Sequence, residues 1–310
     1  MSEHRRSAYV AWLAVCFFWG TTFLAIRVAL ESLPPLMMAG GRHLIAGMIL
    51  GSFVKARAVP MPARRSWPGQ AMLGILMLGI GNGGVVWAEQ WVPSGIAAVM
   101  VATIPFWVVG VEAALPSGER LTGRQLAGLL LGFAGILMLV WSDLRPGGLA
   151  GRGFIQGAIA LQISCVGWAL GSAYAKRHVR HDDPIASAAL QMLFGGVALL
   201  VAATLIGEPP GHFTARTAGA FIYLIVFGSL VGYVSYVYAL KYLPVTTVAL
   251  YAFVNPVIAV VLGALLLSEP FTLRMVVAIA VIFGGMMIVR SVAGATDPAA
   301  DTRRSSREPA

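Results

Sequence analysis

Charge is scarce in this sequence. Only 11% of its 310 residues are Asp, Glu, Lys or Arg, and 58% are apolar; a soluble domain typically carries about 25% charge. A water-soluble fold of this length cannot hide so much apolar surface, which sets aside a large soluble helical protein. Cysteine occurs twice, at Cys16 and Cys165, both within apolar runs. That pattern excludes a secreted disulfide scaffold and points to buried reduced thiols. Asparagine also occurs twice, at Asn82 and Asn255. No G-x-x-x-x-G-K-[ST] segment is present, so the chain has no nucleotide engine of its own. An integral-membrane enzyme acting on lipids would need acidic or histidine clusters at one interface, and a channel would need a continuous polar stripe. The sequence offers neither.

What it has is an internal repeat. At a shift of 149, Cys16 meets Cys165, Trp19 meets Trp168, Pro35 meets Pro184 and Arg27 meets Lys176. At 150, Glu119, Thr122, Arg124, Phe133 and Gly135 meet Glu269, Thr272, Arg274, Phe283 and Gly285. At 151, Gly81 meets Gly232, Pro93 meets Pro244 and Pro105 meets Pro256. The drifting offset is what short loop insertions produce. Two homologous halves are expected, 1–147 and 148–290, joined at Pro146-Gly147-Gly148 and followed by a polar, disordered cytoplasmic tail over 291–310.

A bilayer-crossing helix needs about 20 mainly apolar residues. Ten such runs are present, at 8–28, 34–54, 69–88, 94–115, 122–142, 153–174, 185–207, 217–239, 244–267 and 271–290. The first is too long for a signal-peptide core and matches the sixth, so it belongs to the fold. With the N-terminus in the cytoplasm, sixteen Lys and Arg residues fall inside and about five outside, a strong positive-inside bias that places both termini in the cytoplasm. The net charge of +9 follows from that bias and needs no nucleic acid. Five crossings per half is an odd number, so the halves enter the membrane in opposite senses. The expected fold is all-α and integral to the plasma membrane, ten transmembrane helices as two inverted five-helix repeats. Many secondary transporters follow this plan.

The first-helix run Phe18-Trp19-Gly20-Thr21-Thr22-Phe23, the spacing from Pro35 to Arg42, and the Glu119-x-x-Thr122 and Glu269-x-x-Thr272 entries resemble the drug/metabolite transporter superfamily, EamA-type branch. Gly132-Phe133-Ala134-Gly135 and Phe283-Gly284-Gly285 add to the likeness, which spans about residues 8–290. The resemblance implies a carrier of small molecules, typically an exporter of amino acids, other metabolites or toxic compounds. It also implies a central cavity lined by helices 1, 3, 4, 6, 8 and 9, with helices 5 and 10 at the periphery or at a homodimer contact. The echo of the first-helix motif departs from the pattern at Trp168-Ala169-Leu170. No cofactor and no enzymatic activity are implied.

The candidate substrate-binding residues are Trp19, Thr22, Arg42, Asn82, Trp168, Tyr236, Tyr251 and Asn255. A bare amide or guanidinium inside a bilayer is expensive, so Asn82, Asn255 and Arg42 read as cavity groups or as interhelical ties. The aromatics suit an amphipathic solute better than a multivalent anion, which would call for several basic groups. Pro105 and Pro256 remove a backbone hydrogen bond each and are expected to kink their helices. Glu89 is expected at the surface, and Glu119 and Glu269 as caps at helix N-termini. Two motif matches are declined. Gly79-Ile80-Gly81-Asn82-Gly83-Gly84 fits G-x-G-x-x-G but lies inside a span, with no strand before it. His178-x-x-His181 sits among basic residues without thiols, so no metal is assigned.

Overall fold

The computed structural model describes residues 3–115, 122–140, 151–179, 182–243, 245–249, 251–268 and 272–293. The expected caps Glu119 and Glu269, the joint at 146–148, His181 and the tail from 294 onward lie outside them. Helix follows helix, with no strand among the described residues. In chain order these are α1 (Glu3–Ala29), α2 (Pro35–Ala56), α3 (Arg64–Ala88), α4 (Ser94–Ala114), α5 (Gly123–Val140), α6 (Gly151–His178), α7 (Pro184–Leu205), α8 (Ala215–Tyr242), α9 (Tyr251–Leu267) and α10 (Leu273–Ala293). Seven are long and apolar enough to cross a bilayer: α1 to α4 and α6 to α8. The apolar stretches of α5, α9 and α10 are shorter, Leu126–Gly135, Val254–Leu267 and Leu273–Gly285.

Several helices are irregular where the sequence is rich in glycine or proline. α3 widens into a π-helical stretch over Gly74–Asn82, and α8 does the same over Leu224–Tyr233, 150 residues later. Each extra residue per turn frees backbone from the regular ladder, a feature frequent at functional sites. α4 breaks between its segments Ser94–Val101 and Ile104–Ala114, so Pro105 stands in the first turn of a new segment, where its missing N–H is no loss. Pro256 lies inside α9. Pro184 opens α7 after Asp183, whose carboxylate accepts from Ile185 N at 2.9 Å and Ala186 N at 3.0 Å.

Packing between the halves obeys an exchange rule. α1 lies against α8 and α9 where α6 lies against α3 and α4; α2 packs on α7, α5 on α10 and α4 on α9. Replacing each helix by its counterpart in the other half maps this set onto itself. Small residues bring the backbones together, as in membrane bundles generally. A Cβ at Gly40 would stand 3.0 Å from Gly196 O, and one at Gly285 2.5 Å from Gly128 O. Outward faces carry exposed large apolar side chains, among them Leu13, Phe17, Leu130, Val201 and Leu265. Lipid suits such faces and water does not.

The helix ends gather at two poles. At one, Lys176, Asp182 and Lys241 share a cavity wall, and the His4 ring stacks on Tyr242 at 5.2 Å. At the other, Arg27 donates to Glu89 O and Gln90 O, Arg216 pairs with Glu31 at 3.1 Å, and Ser32 Oγ donates to His212 O at 2.7 Å.

Candidate functional site

Two cavities frame the candidate site. The central one, of about 70 Å³, is walled by Trp19, Thr22, Arg42, Asn82, Trp168, Tyr251 and Asn255 among others. The second, of about 300 Å³, opens at the lysine pole beside Lys176, Asp182 and Lys241. Tyr236, expected beside the others, lines this second cavity instead. Pro105 and Pro256 are in neither wall, although Ile104 borders the central cavity.

A layer of aromatic rings separates the two spaces. Trp19 stacks on Tyr236 at 5.2 Å and meets Trp168 and Tyr251 edge-on at 5.3 and 5.1 Å. Trp168 Nε1 donates to the Tyr236 hydroxyl at 3.1 Å, and Ser172 Oγ lies 3.0 Å from the same oxygen. Each tryptophan is seated by the other half. Trp19 Nε1 donates to Gly228 O at 3.1 Å, and its ring fills the space where Gly232 has no side chain. Trp168 fills the equivalent space at Gly81. Both glycines lie in the π-helical stretches, so the wide turns and the absent Cβ atoms together make room for the rings. Edge-to-face and offset pairs of this kind contribute about 0.5–1.5 kcal/mol each beyond their burial.

Polar groups reach the cavities from several helices. Arg42 is 2% exposed and donates through Nη2 to Asn82 Oδ1. His43 Nε2 lies 3.1 Å from the same oxygen, and its Nδ1 lies 3.3 Å from Ser229 Oγ. Since an amide oxygen only accepts, His43 donates through Nε2 and accepts the Ser229 hydroxyl at Nδ1. Between the cavities, Tyr233 OH donates to Gln191 Oε1 at 2.7 Å and Gln191 Nε2 to Gln70 Oε1 at 2.7 Å. Gln70 Nε2 then donates to Asp182 Oδ2 at 2.9 Å. Gln70, Gln191 and Ser164 are absent from the sequence-based site; each looks like an isolated polar residue in an apolar run. Glu89, expected at the surface, is fully buried, at a helix end where Arg27 reaches across from α1 to the carbonyls of Glu89 and Gln90. Glu112 forms an ion pair with Arg177 at 2.6 Å where α4 and α6 end, an exposed pair worth about 0–1 kcal/mol.

Asn255 is 3% exposed. With its amide nitrogen turned to donate, it reaches Cys16 O at 2.9 Å and Tyr251 O at 3.2 Å. It therefore ties α9 to α1 as well as bordering the central cavity. Asn255→Ala is expected to destabilise the protein in detergent by about 1 kcal/mol, the usual scale of such ties. An unchanged melting temperature would show that the tie contributes nothing.

Comparison with known proteins identifies the architecture. The EamA-like transporter family model matches residues 6–141 and again 155–291. The chain belongs to the EamA-like transporter family. Among its relatives is the "Uncharacterized inner membrane transporter YedA" of Escherichia coli K12, 36% identical over 281 residues, covering 90% of this chain and 89% of that one. A "Probable amino-acid metabolite efflux pump" of Salmonella typhimurium is 26% identical over 296 residues, covering 92% and 94%. A solved structure titled "Crystal structure of protein" superposes with a TM-score of 0.68 at 22% identity, covering 93% of this chain and 99% of that one. That likeness concerns the fold. This EamA-type protein is a multi-pass membrane transporter of the drug/metabolite superfamily. Its family and relatives point away from an enzyme.

Proposed function

We propose that this EamA-type protein is a secondary carrier of the plasma membrane that exports small amphipathic metabolites, amino acids or toxic compounds among them, by alternating access. One observation carries the proposal: an aromatic layer with rings from both halves, Trp19 from the first and Trp168, Tyr236 and Tyr251 from the second, stands between the central cavity and a wider one at the lysine pole. A channel would need an uninterrupted path, and a layer of side chains across the middle of the protein is what a carrier requires between its two open states. The printed name of the Salmonella relative, an efflux pump, agrees with the direction of transport.

The same proposal takes 1–147 and 148–290 as inverted five-helix repeats, all ten helices crossing the bilayer. The exchange rule among helix contacts supports it, as does the gathering of unlike helix ends at each pole. The basic bias assigns the Lys176 and Lys241 pole, and both termini, to the cytoplasm. The outer faces of α5 and α10 are the surface proposed for a homodimer; on their inner faces the two helices meet closely at Gly135 and Gly285.

A resistance and metabolite-release screen in cells overexpressing the chain, followed by flux into everted vesicles at two pH values, tests the proposal. Accumulation of at least one compound in vesicles, absent from vesicles lacking the protein, is expected. No compound moving in either direction would remove the carrier reading.

A further inference from the structure

Arg42 is the one guanidinium in the wall of the central cavity. It is 2% exposed, and among the described residues it donates through Nη2 alone; its Nε is buried with no hydrogen-bond partner. A guanidinium carries five N–H donors in a planar fork, and leaving one dry and unmade is costly, the more so for a charged group. The group is also held still. Asn82 Oδ1 receives both Arg42 and His43, and Ser229 fixes the far side of the imidazole. On the opposite flank the backbone at Gly228 comes so close that a Cβ there would stand 3.3 Å from Nη1. What remains is a guanidinium held in one orientation, with N–H groups unused, in the wall of a small space bounded by Thr22, Ser164 and the indoles of Trp19 and Trp168.

The size of that space narrows what fits. About 70 Å³ is less than half of the roughly 150 Å³ cavity that admits a benzene ring. It holds a head group and no more. The substrate body must pass the aromatic layer toward the wider cavity beyond Tyr236.

Resting on the carrier reading above, we infer that Arg42 is a specificity-determining residue that binds the carboxylate of a monoanionic substrate, whose apolar body packs against the Trp19–Trp168–Tyr236 layer. A carboxylate matches the guanidinium fork in plane and charge, which an ammonium or a carboxamide does not. A multivalent phosphate would meet one fixed cation where it needs several. The fork also explains why lysine would be a poor substitute at this position: its ammonium is a point charge without the planar pair of donors.

The experiment uses the full chain in nanodiscs and follows tryptophan fluorescence and thermal shift. Three probes share one body: 3-phenylpropionate, 3-phenylpropanamide and phenethylamine. The carboxylate is expected to bind at least ten-fold more tightly than the amide, and the amine least tightly. In Arg42→Gln that preference disappears, and in Arg42→Lys it persists at a reduced level, which separates loss of the fork from loss of the fold. Equal binding of carboxylate and amide, preference for the amine, absence of binding by all three, or a preference that survives Arg42→Gln overturns the inference. Vesicle flux keeps the two readings apart: transport of neutral or cationic compounds without a carboxylate preference sinks the anchor and leaves the carrier, whereas no transport of anything sinks the carrier.

Discussion

Gly74→Val is expected to abolish recovery of folded protein. A Cβ at Gly74 would stand 2.5 Å from Gln191 O and 2.9 Å from Gly195 N, both backbone atoms. From the other side, a Cβ at Gly195 would stand 2.7 Å from Gly74 O. Here two main chains, those of α3 and α7, touch directly. No side chain can turn aside, so the helices themselves must separate, breaking the exchange-related packing around them. Overpacking a well-filled core costs about 1–3 kcal/mol even where rotamers can adjust, and here they cannot. Gly195→Val should behave alike. Gly51 on α2 is the control, because a Cβ there meets nothing within 4 Å, and Gly51→Val should give normal yield. Fluorescence-detected size-exclusion chromatography distinguishes these outcomes. A monodisperse Gly74→Val protein of unchanged melting temperature would mean that α3 and α7 do not meet as described.

On the alternating-access reading proposed above, Glu208→Ala is expected to favour opening at the Glu208 pole. α2 begins after Pro34 and has no side-chain cap of its own. Its first amides are satisfied by the opposite half: Leu36 N donates to Glu208 Oε1 at 2.9 Å and Met37 N to Oε2 at 2.8 Å. Around this clasp, Ser32 and His212 exchange two hydrogen bonds, Ser32 Oγ to His212 O and His212 N to Ser32 O. α7, by contrast, is capped locally by Asp183 and needs no help from the other half. One carboxylate thus ties the two halves together at the Glu208 pole, while the wide cavity lies at the lysine pole. Hydrogen bonds to a charged group contribute about 1.5–3 kcal/mol, and a negative charge at a helix N-terminus about 0.3–1 kcal/mol. Discounting for the partial exposure of Glu208, the loss is about 2 kcal/mol, or roughly 30-fold in the ratio of the two states. A Thr22→Cys reporter in a Cys16→Ala, Cys165→Ala background reads it by labelling with an impermeant maleimide from outside. Labelling should accelerate ten-fold or more in Glu208→Ala, with Glu208→Gln between. An unchanged rate would show that the clasp does not gate access.

Particular residues show how far the sequence could be followed. Trp19 and Trp168 were legible as partners because each keeps its place in its own copy of the repeat. That they would meet one another at 5.3 Å, each against a glycine of the other half, was not. Arg42 and Asn82 were singled out one by one for the expense of a polar group in lipid; their contact joins α2 to α3 across 40 residues. Gln70 and Gln191 gave no signal, since a single amide in an apolar run is as common in ordinary packing as in a relay. Glu89 was misplaced because its position near the end of a run says nothing about what closes over that end. Tyr236, itself part of the layer, borders the wider cavity and not the central one, because the π-helical turn before it alters which residues of α8 share a face.

The sequence alone determined that this chain lives in lipid, that it is built twice over, and to which family it is similar. Apolar run length answers to bilayer thickness, and duplication leaves matched residues whatever the packing. Tertiary structure alone decided that an aromatic layer stands between two cavities, that Arg42 lines the smaller one, and that Glu208 clasps the opposite half. These depend on partners from separate helices, such as Trp12 and Val248 at 236 residues' separation, and hydrogen-bond geometry between distant segments leaves no trace in local composition or periodicity.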